Sequence, residues 1–184
     1  MKQEIEIEYK QLLSEVEYEK IKEVILKGEH KVINHENFYF ETKNKDLKAN
    51  HQALRIRVAK DYFELCLKTQ RESDILEKNI ELTEDEFVSI CNDNLLIYNY
   101  LDNLPQGLEL LGSLETCRLE TKIADGLICL DKSRYGNKED YEIEFEANDY
   151  NKEDILIAYL KKFGVKYKLN KKSKIQRFSE ELGL

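Results

Sequence analysis

Apolar and charged residues alternate in several short segments of this chain. In the first segment Glu4, Glu6 and Glu8 occupy alternate positions, and Lys10 follows two residues later. Side chains two residues apart on a strand lie on one face, roughly 7 Å from each other, so the pattern predicts a strand with like charges on one face. Similar segments occur at 54–58, 63–68, 117–123 and 141–146. The chain is therefore predicted to build a sheet with one apolar and one charged face.

The spacing of these segments predicts an antiparallel sheet of seven or eight strands with helices beside it. Besides the N-terminal strand, strands are expected near 35–42, 53–60, 62–69, 75–82, 115–123, 127–132 and 140–147, with a hairpin turn at 124–126. Helices are expected from the capping boxes at Ser14 and Thr83, over 151–163, and from near Ser173. The segment 95–114, which contains the only proline, is expected to be a loop with short helical pieces.

Length and composition limit the class of protein. A chain of 184 residues is long enough for one domain, 1–184, with a hydrophobic core of its own. The 37 acidic residues outnumber the 29 basic ones, and the net charge of −8 argues against a general nucleic-acid or membrane surface. Since no apolar run resembles a signal peptide or a membrane span, a cytoplasmic protein is expected. The expected oligomeric state is a monomer or homodimer.

The cysteines and histidines carry no recognisable metal-binding or disulfide pattern. The cysteines, of which three lie in strand-like apolar runs, form no C-x-x-C pair, so buried free thiols are expected at positions 66, 91, 117 and 129. The histidines, also without ligand spacing, are expected on the surface or in loops at positions 30, 35 and 51.

The charges on the predicted strands are sorted by sign. Acidic residues dominate 4–8 and 142–146, whereas Arg55, Arg57 and Arg118 supply cations on comparable strands. A solvated sheet face is the simpler interpretation, because antiparallel sheets commonly turn one polar face to water. In an enclosed space, however, neighbouring carboxylates favour bound cations, and carboxylate oxygens suit magnesium. A closed barrel with a charged lumen could hold a metal ion and an anionic ligand together, although alternation alone does not establish closure.

Six motifs occur in a particular order along the chain. They are Glu6-x-Glu8-x-Lys10, Leu54-Arg55-Ile56-Arg57, the strand ending at Lys68, Leu130-Asp131, Glu142-x-Glu144-x-Glu146 and the terminal segment 173–178. Together they resemble the CYTH superfamily, the triphosphate tunnel metalloenzymes, and look closest to its small bacterial single-domain branch. The resemblance covers nearly the whole chain. It implies an α+β fold in which a closed eight-stranded antiparallel β tunnel is flanked by helices.

The resemblance also implies two groups of site residues. The implied metal ligands are Glu4, Glu6, Glu8, Glu77, Asp131, Glu142, Glu144 and Glu146, with Glu81 as the alternative to Glu77. The implied phosphate-binding cations are Lys10, Arg55, Arg57, Lys68, Arg118, Lys174 and Arg177. Catalytic roles are expected for Glu6, Glu8 and Lys10. Lys174 and Arg177 have a solvated helix face as their alternative interpretation, and Glu120 and Lys122 are given no role.

The leading hypothesis is metal-dependent hydrolysis of inorganic triphosphate or a related triphosphate compound. Mg2+ or Mn2+ is the implied cofactor and a triphosphate-containing small molecule the implied partner, with no nucleic-acid or membrane partner. The alternatives are a class IV-type adenylate cyclase, a thiamine triphosphatase and a non-catalytic sensor of polyphosphate or nucleotide. The chain has no P-loop motif and no distinct base-reading motif. The presence of both charge sets favours catalysis over sensing.

Overall fold

The computed structural model of the protein describes residues 1–170 and 172–183. In this part of the chain the strands are β1 (Lys2–Glu6), β2 (Glu8–Leu13), β3 (Lys31–Thr42), β4 (Gln52–Ala59), β5 (Tyr62–Gln70), β6 (Ile75–Leu82), β7 (Leu108–Ile123), β8 (Gly126–Tyr135) and β9 (Lys138–Ala147). The α-helices are α1 (Glu15–Ile25), α2 (Asp46–Ala49), α3 (Glu84–Asn92), α4 (Glu153–Lys161) and α5 (Lys174–Glu181), and a 3₁₀ helix spans Asn94–Asn99. The α+β class is confirmed.

Across the described residues, nine strands form one sheet in the order β1-β6-β5-β4-β3-β7-β8-β9-β2. The pairs β2–β9, β3–β4, β4–β5, β5–β6, β7–β8 and β8–β9 are antiparallel, as predicted. The predicted N-terminal strand is interrupted at Ile7 and forms two strands. The sheet of the described residues therefore has nine strands, where seven or eight were predicted. The two halves of the N-terminal strand have different neighbours, because β1 lies beside β6 and β2 beside β9.

Two compact units make up the described chain: Met1–Ile5 with His35–Leu114, and Glu6–Asn34 with the residues from Glu115 onward. In the first unit, alternate residues of β4 such as Leu54 and Ile56 are buried in an apolar core that includes Ile90 of α3. Arg55, which lies between them, projects from the opposite face, because side chains alternate along a strand. The one-domain organisation expected from the sequence stays a prediction.

In the second unit, α1 and α4 cover the apolar face of the strands. Ile143 and Phe145 of β9 are fully buried in one core with Ile21 of α1 and with Leu156 and Leu160 of α4. Burying such side chains stabilises the unit by roughly 1.5–3 kcal/mol each. The acidic residues that alternate with them in β9 are therefore directed to the other face, where α5 contributes its cations.

The predicted helix starts are confirmed. Ser14, Thr83 and Ser173 each cap a helix, and the N3 side chain closes the capping box in each case. Each helix therefore has side-chain partners for N–H groups at its start that lack a partner inside the helix. Among the described residues no helix combines the length and the apolar character needed to span a membrane.

The segment predicted as a loop is partly strand. The 3₁₀ helix matches the expected short helical piece, but β7 begins at Leu108 and not near 115. Gly112 lies inside this strand with a φ of 138°, a value that side chains rarely permit. The alternation on which the prediction depended is broken here, because Leu110 and Leu111 are adjacent and Gly112 follows them. The hairpin is confirmed, because β7 ends at Ile123 and β8 begins at Gly126.

The cysteines are free thiols as predicted, with Cys66 and Cys129 buried and the other two half-buried. One histidine prediction is wrong, because His35 is 7% exposed within β3. This strand begins at Lys31, earlier than expected, so His35 lies well inside the strand and not at its exposed start. His30 and His51 are exposed as predicted.

Candidate functional site

A buried ionic cluster lies on the charged face of β7, β8 and β9 in the second unit. Arg118 of β7 lies directly opposite Asp131 of β8. Its guanidinium donates from Nε and Nη2 to the two oxygens of Asp131, at 2.8 and 2.7 Å. The same group contacts Glu144, and its Nη1 lies 3.2 Å from Glu146. Arg118 and Asp131 are both buried, so water does not compete for their paired hydrogen bonds. Such charge-assisted pairs are among the stronger hydrogen bonds in proteins.

Lys174, the first residue of α5, adds a second cation to this cluster. Its Nζ lies 2.8 Å from Asp131, 2.7 Å from Glu142 and 2.5 Å from Glu144. Ser173 caps α5 at this point and so fixes where the helix, and with it the ammonium group, begins. A single buried ammonium is therefore shared by carboxylates from two neighbouring strands.

Arg177, one turn further along α5, extends the cluster. Its Nε donates to Oδ2 of Asp140 at 2.8 Å, and its Nη1 donates to Glu142 at 2.9 Å. The hydroxyl of Tyr135 donates to the same Asp140 oxygen at 2.6 Å. Arg177 is 5% exposed and the side chain of Lys174 is 11% exposed, so the alternative interpretation of a solvated helix face is wrong.

Glu8 and Lys10 bring β2 into the same charged face. Glu8 lies directly opposite Glu146 of β9, and Lys10 lies opposite Glu144. Glu8 and Lys10 also form an ion pair, and both side chains are largely shielded from solvent. Glu8 and Lys10, both expected to be catalytic, therefore lie opposite two expected metal ligands of β9.

Glu4 and Glu6 do not continue this arrangement. Glu4 is exposed in β1 and pairs with Lys2 at 2.5 Å, while Glu6 is half-buried at the end of the same strand. The prediction that Glu4, Glu6 and Glu8 share one face of a continuous strand is wrong, because the strand is interrupted at Ile7. The chain passes from the first unit to the second at this point, between Ile5 and Glu6.

The carboxylates of the cluster have pKa values that differ with their neighbours. Burial disfavours ionised Glu144, but the charges of Lys174 and Arg118 outweigh it and hold its pKa well below the usual range. The same two cations outweigh burial at Asp131 and lower its pKa. Burial raises the pKa of Glu142, and the nearby charge of Glu144 adds to this effect although Lys174 opposes it. Folding therefore favours ionised Glu144 and Asp131 but disfavours ionised Glu142.

The pKa values of the two lysines of the cluster are raised by the neighbouring carboxylates. Burial disfavours the charged form of Lys174, but the charges of Asp131 and Glu142 outweigh it and raise its pKa well above the usual value. Burial also disfavours charged Lys10, whose pKa is nevertheless raised by the carboxylates of Glu8 and Glu144. Both lysines are therefore held as cations.

The oxygen donors of this cluster fit a hard divalent cation, which prefers carboxylate ligands. Within 1–170 and 172–183, no three acidic, histidine or cysteine side chains are placed as a ready-made metal group. Instead Asp131, Glu142 and Glu144 are turned onto the ammonium of Lys174. These oxygens already accept one cation, so their chemistry fits a divalent ion, which would compete with Lys174 for them.

The first unit has its own charged face on β4, β5 and β6. Lys68 lies opposite Glu77 and forms an ion pair with it at 2.5 Å. Asn79, two residues along β6, donates to the other oxygen of Glu77 at 3.1 Å. Glu81 is exposed and lies opposite Glu64. The contact with an expected phosphate-binding cation thus favours Glu77 over Glu81 as the acidic residue of this face.

Arg55 and Arg57 lie on the same face of the first unit. In the register of β3 and β4, Arg55 is opposite Tyr39 and Arg57 is opposite Asn37. Arg57 donates from Nε to Oδ1 of Asn37 at 3.3 Å. Arg55 is also opposite Cys66, a thiol whose pKa is raised by burial. Both arginines therefore lie on the charged face, as predicted.

The structure adds residues that the sequence analysis did not select. Asp140 continues the alternation that runs through the acidic residues of β9, and this signal could have identified it. Tyr135, for which no site role was predicted, donates from its hydroxyl to Asp140. Asn170, which donates to Glu142 at 3.0 Å, and Asn37 are neutral and gave no charge signal. The roles of all the site residues stay predictions.

Comparison with known proteins gives consistent matches over nearly the whole chain. The profile of the CYTH domain matches residues 4–179. YjbK of Bacillus subtilis (strain 168), named "putative triphosphatase", is 37% identical over 186 residues, covering 98% of this chain and 97% of YjbK. The crystal structure of a "putative adenylate cyclase" from Bacillus halodurans is 32% identical, with a TM-score of 0.83 over 97% of this chain and 99% of that chain. The structure of HpAC1 from Hippeastrum, 22% identical, has the same fold, with a TM-score of 0.78 over 96% of this chain and 95% of that chain.

Proposed function

The chain belongs to the CYTH domain family, and on that premise we propose that it hydrolyses inorganic triphosphate, or a related triphosphate compound, with the help of a divalent metal ion. The observation that carries this proposal is the sharing of Arg118 and Lys174 among buried carboxylates. Such a cluster contains ligands for a metal ion and for a polyanion in one hydrogen-bonded group. The name of YjbK, "putative triphosphatase", supports the same activity.

The balance of charge in the cluster supports a metal requirement. Among the described residues, six carboxylates and four cations belong to it. They are Glu8, Asp131, Asp140, Glu142, Glu144 and Glu146, with Lys10, Arg118, Lys174 and Arg177. A site with this excess of negative charge repels a triphosphate, whereas one divalent ion balances the two extra carboxylates. Metal binding is therefore expected to precede or accompany triphosphate binding.

The cations of the cluster are expected to change partners when the site fills. Carboxylates that held a metal ion would leave Arg118 and Lys174 able to donate to phosphate oxygens, Arg118 through a pair of hydrogen bonds and Lys174 as a point charge. Arg177 and Lys10 are proposed to act in the same way. Arg55, Arg57 and Lys68 are proposed to bind phosphate oxygens from the first unit.

The residues proposed to hold the metal are Glu4, Glu6, Glu8, Glu77, Asp131, Glu142, Glu144 and Glu146. A bound Mg2+ or Mn2+ supplies charge neutralisation and activates the attacking water. Glu6, Glu8 and Lys10 are proposed as catalytic residues. Lys10 stabilises the charge that develops on the transferred phosphoryl group. The cytoplasmic location and the monomeric or homodimeric state stay predictions.

Cyclisation of ATP is the second candidate activity, because the Bacillus halodurans protein is named for adenylate cyclase. A cyclase has to orient a ribose hydroxyl for attack on the α-phosphate, whereas hydrolysis of inorganic triphosphate needs only phosphate and water. The cluster supplies carboxylates and cations, which are the groups that the simpler reaction uses. Hydrolysis is therefore the preferred proposal.

The test is turnover of inorganic triphosphate, ATP and thiamine triphosphate, each with Mg2+, with Mn2+ and with a chelator. We expect metal-dependent release of phosphate from inorganic triphosphate, and a loss of at least about a hundredfold in Glu144→Gln and Glu6→Gln. Cyclic AMP and diphosphate as the main products from ATP would establish the second candidate. Tight binding of triphosphate without turnover of any compound would establish a sensor.

A further inference from the structure

Asn37 is a buried amide whose orientation is fixed by its neighbour. It lies in β3 directly opposite Arg57 of β4 and is 1% exposed. Arg57 donates from Nε to the amide oxygen of Asn37 at 3.3 Å. Since the oxygen faces the guanidinium, the amide nitrogen must face away from it. The hydrogen bond therefore distinguishes the two ends of the amide.

The amide nitrogen of Asn37 is a hydrogen-bond donor without an acceptor among the described residues. Among the described residues and their atoms, Nδ2 of Asn37 is buried and has no hydrogen-bond partner. Buried donors in proteins are nearly always paired, because an unpaired one loses its bonds to water without replacement. An acceptor that belongs to a ligand would resolve this deficit.

A second donor of the same kind lies beside it. Nε of Arg55 is also buried and has no partner within the described part of the chain. Arg55 is opposite Tyr39, the next residue after Asn37 on the same face of β3, so Arg55 is the diagonal neighbour of Asn37. Diagonal neighbours on adjacent strands are about 7–8 Å apart at Cα, within reach of one ligand that carries several oxygens. Two unpaired donors and the charge of Arg57 thus occur together on one face.

We propose that Asn37 is a phosphate-binding residue, which donates from Nδ2 to an oxygen of the same phosphate group that Arg55 and Arg57 bind. This proposal rests on the proposed function, because it places an additional residue in the binding of the triphosphate. A tetrahedral phosphate fits this set of donors, since its several oxygens accept from separate directions and its charge matches the two guanidinium groups. Asn37 adds a hydrogen bond without adding charge.

Two substitutions separate this role from simple support of Arg57. Asn37→Ala removes both ends of the amide, and we expect it to weaken binding of inorganic triphosphate about tenfold. Asn37→Asp keeps an oxygen that accepts from Arg57 but replaces the donor by a charged acceptor. We expect this variant to bind triphosphate at least about tenfold more weakly than Asn37→Ala does, because its carboxylate repels phosphate oxygens. If Asn37 only positions Arg57, Asn37→Asp would bind triphosphate more tightly than Asn37→Ala does, because its carboxylate still accepts from Arg57.

Gln11 provides the matched control, because it is a buried amide with a purely structural environment. Its Nε2 donates to the carbonyl of Lys166 at 3.1 Å, and its Oε1 accepts from the backbone of Lys168 at 2.6 Å. Gln11→Ala is expected to lower the melting temperature while leaving the affinity for triphosphate unchanged. Calorimetric titration with inorganic triphosphate and steady-state kinetics would be measured on all variants that retain the native circular dichroism spectrum.

The outcomes distinguish this inference from the proposed hydrolysis. Binding without turnover in the wild type, together with binding that is weakened in Asn37→Ala and weakened further in Asn37→Asp, supports the role of Asn37 and overturns the hydrolase. Turnover in the wild type with unchanged affinity in both variants overturns the role of Asn37 alone. A wild-type protein that does not bind triphosphate overturns both.

Discussion

Lys174 lies 2.5 Å from Glu144, so the first residue of α5 and a central carboxylate of β9 form a buried ion pair. Each of these two residues is proposed to have another partner when substrate is present, a phosphate oxygen for Lys174 and a metal ion for Glu144. The ion pair between Lys174 and Glu144 competes with these proposed contacts, because both use the ammonium of Lys174 and the carboxylate of Glu144. The position of α5 is therefore expected to depend on whether the carboxylates hold a metal.

Replacement of Lys174 by methionine tests this competition directly. Lys174→Met should raise the affinity for Mn2+ about tenfold or more, because it removes a cation that competes for the same oxygens. It should also weaken the binding of triphosphate, because a phosphate-binding charge is lost. Calorimetric titration with Mn2+ alone, and then with triphosphate in the presence of Mn2+, would measure both changes.

Lys172→Met is the control for this experiment, since Lys172 is exposed and pairs with Glu180. It should bind Mn2+ as the wild type does. If Lys174→Met binds Mn2+ no better than the wild type, the ammonium does not compete with the metal and the exchange of partners is wrong.

Glu144 and Glu142 should respond to pH with opposite sign in the metal-free protein. The pKa of Glu144 is lowered by folding, so its contribution to stability is complete above the unfolded pKa of about 4.3 and is lost as the pH falls below it. The pKa of Glu142 is raised by folding, so protonation of Glu142 stabilises the fold as the pH falls toward about 4.3. Glu144→Gln should therefore have a shallower acid dependence than the wild type, and Glu142→Gln a steeper one.

Urea unfolding in a chelator between pH 3 and pH 7 would measure this difference. At pH 7 Glu144→Gln should cost about 3 kcal/mol of unfolding free energy, because it leaves buried cations without a partner. Glu142→Gln should change the unfolding free energy by less than about 1 kcal/mol, because the loss of its contacts is offset by removal of a charge that folding disfavours. Equal costs and equal acid slopes would show that the two carboxylates are not differentiated by their surroundings.

Asp140 is expected to position Arg177 for phosphate binding. Asp140→Asn weakens the acceptor that holds Nε of Arg177, so KM for triphosphate should rise about fivefold to tenfold with a smaller change in kcat. Glu139→Gln is the neighbouring control, because Glu139 pairs with Lys132 and not with α5. Steady-state kinetics on both variants would measure the effect, and a larger loss in Glu139→Gln would contradict the assignment.

Gly126 is expected to be essential for the hairpin between β7 and β8. It has a φ of 156°, and a Cβ at this position would lie 2.1 Å from the backbone oxygen of Glu146. Gly126→Ala should therefore destabilise the protein by about 3 kcal/mol or more, as measured by urea unfolding. Gly107→Ala should cost only about 1 kcal/mol, since Gly107 has a φ of 82° but open space around it. Similar losses in the two variants would mean that the close approach to Glu146 is relieved at little cost.

Alternation of charge was enough to predict most of the sheet, because a strand that packs on one face has to sort its residues by position. The acidic run of β9 and the arginines of β4 were found in this way, and the capping boxes gave the helix starts. The same signal failed near the start of β7, where the alternation breaks at Leu111 and Gly112. It also gave no warning of the interruption at Ile7, since pairing with different strands depends on distant parts of the chain.

The residues of the candidate site were named through the family resemblance, and their roles stay predictions. The structure brings three of these residues, Arg118, Lys174 and Arg177, onto the acidic residues of β8 and β9. The contacts among them could not be predicted, because they depend on where α5 packs. Neutral residues such as Asn37 were missed for a different reason, since an amide becomes informative only when its burial and its partners are known.

The ammonium of Lys174 has a consequence for the protein outside its reaction. Carboxylates that are buried without a counter-ion destabilise a fold, and many ion-binding proteins unfold when the ion is removed. Here most of the balancing charge is carried by the polypeptide itself, with Lys174 in contact with three of the carboxylates, so withdrawal of the proposed metal ion should leave the protein folded but inactive until the ion returns.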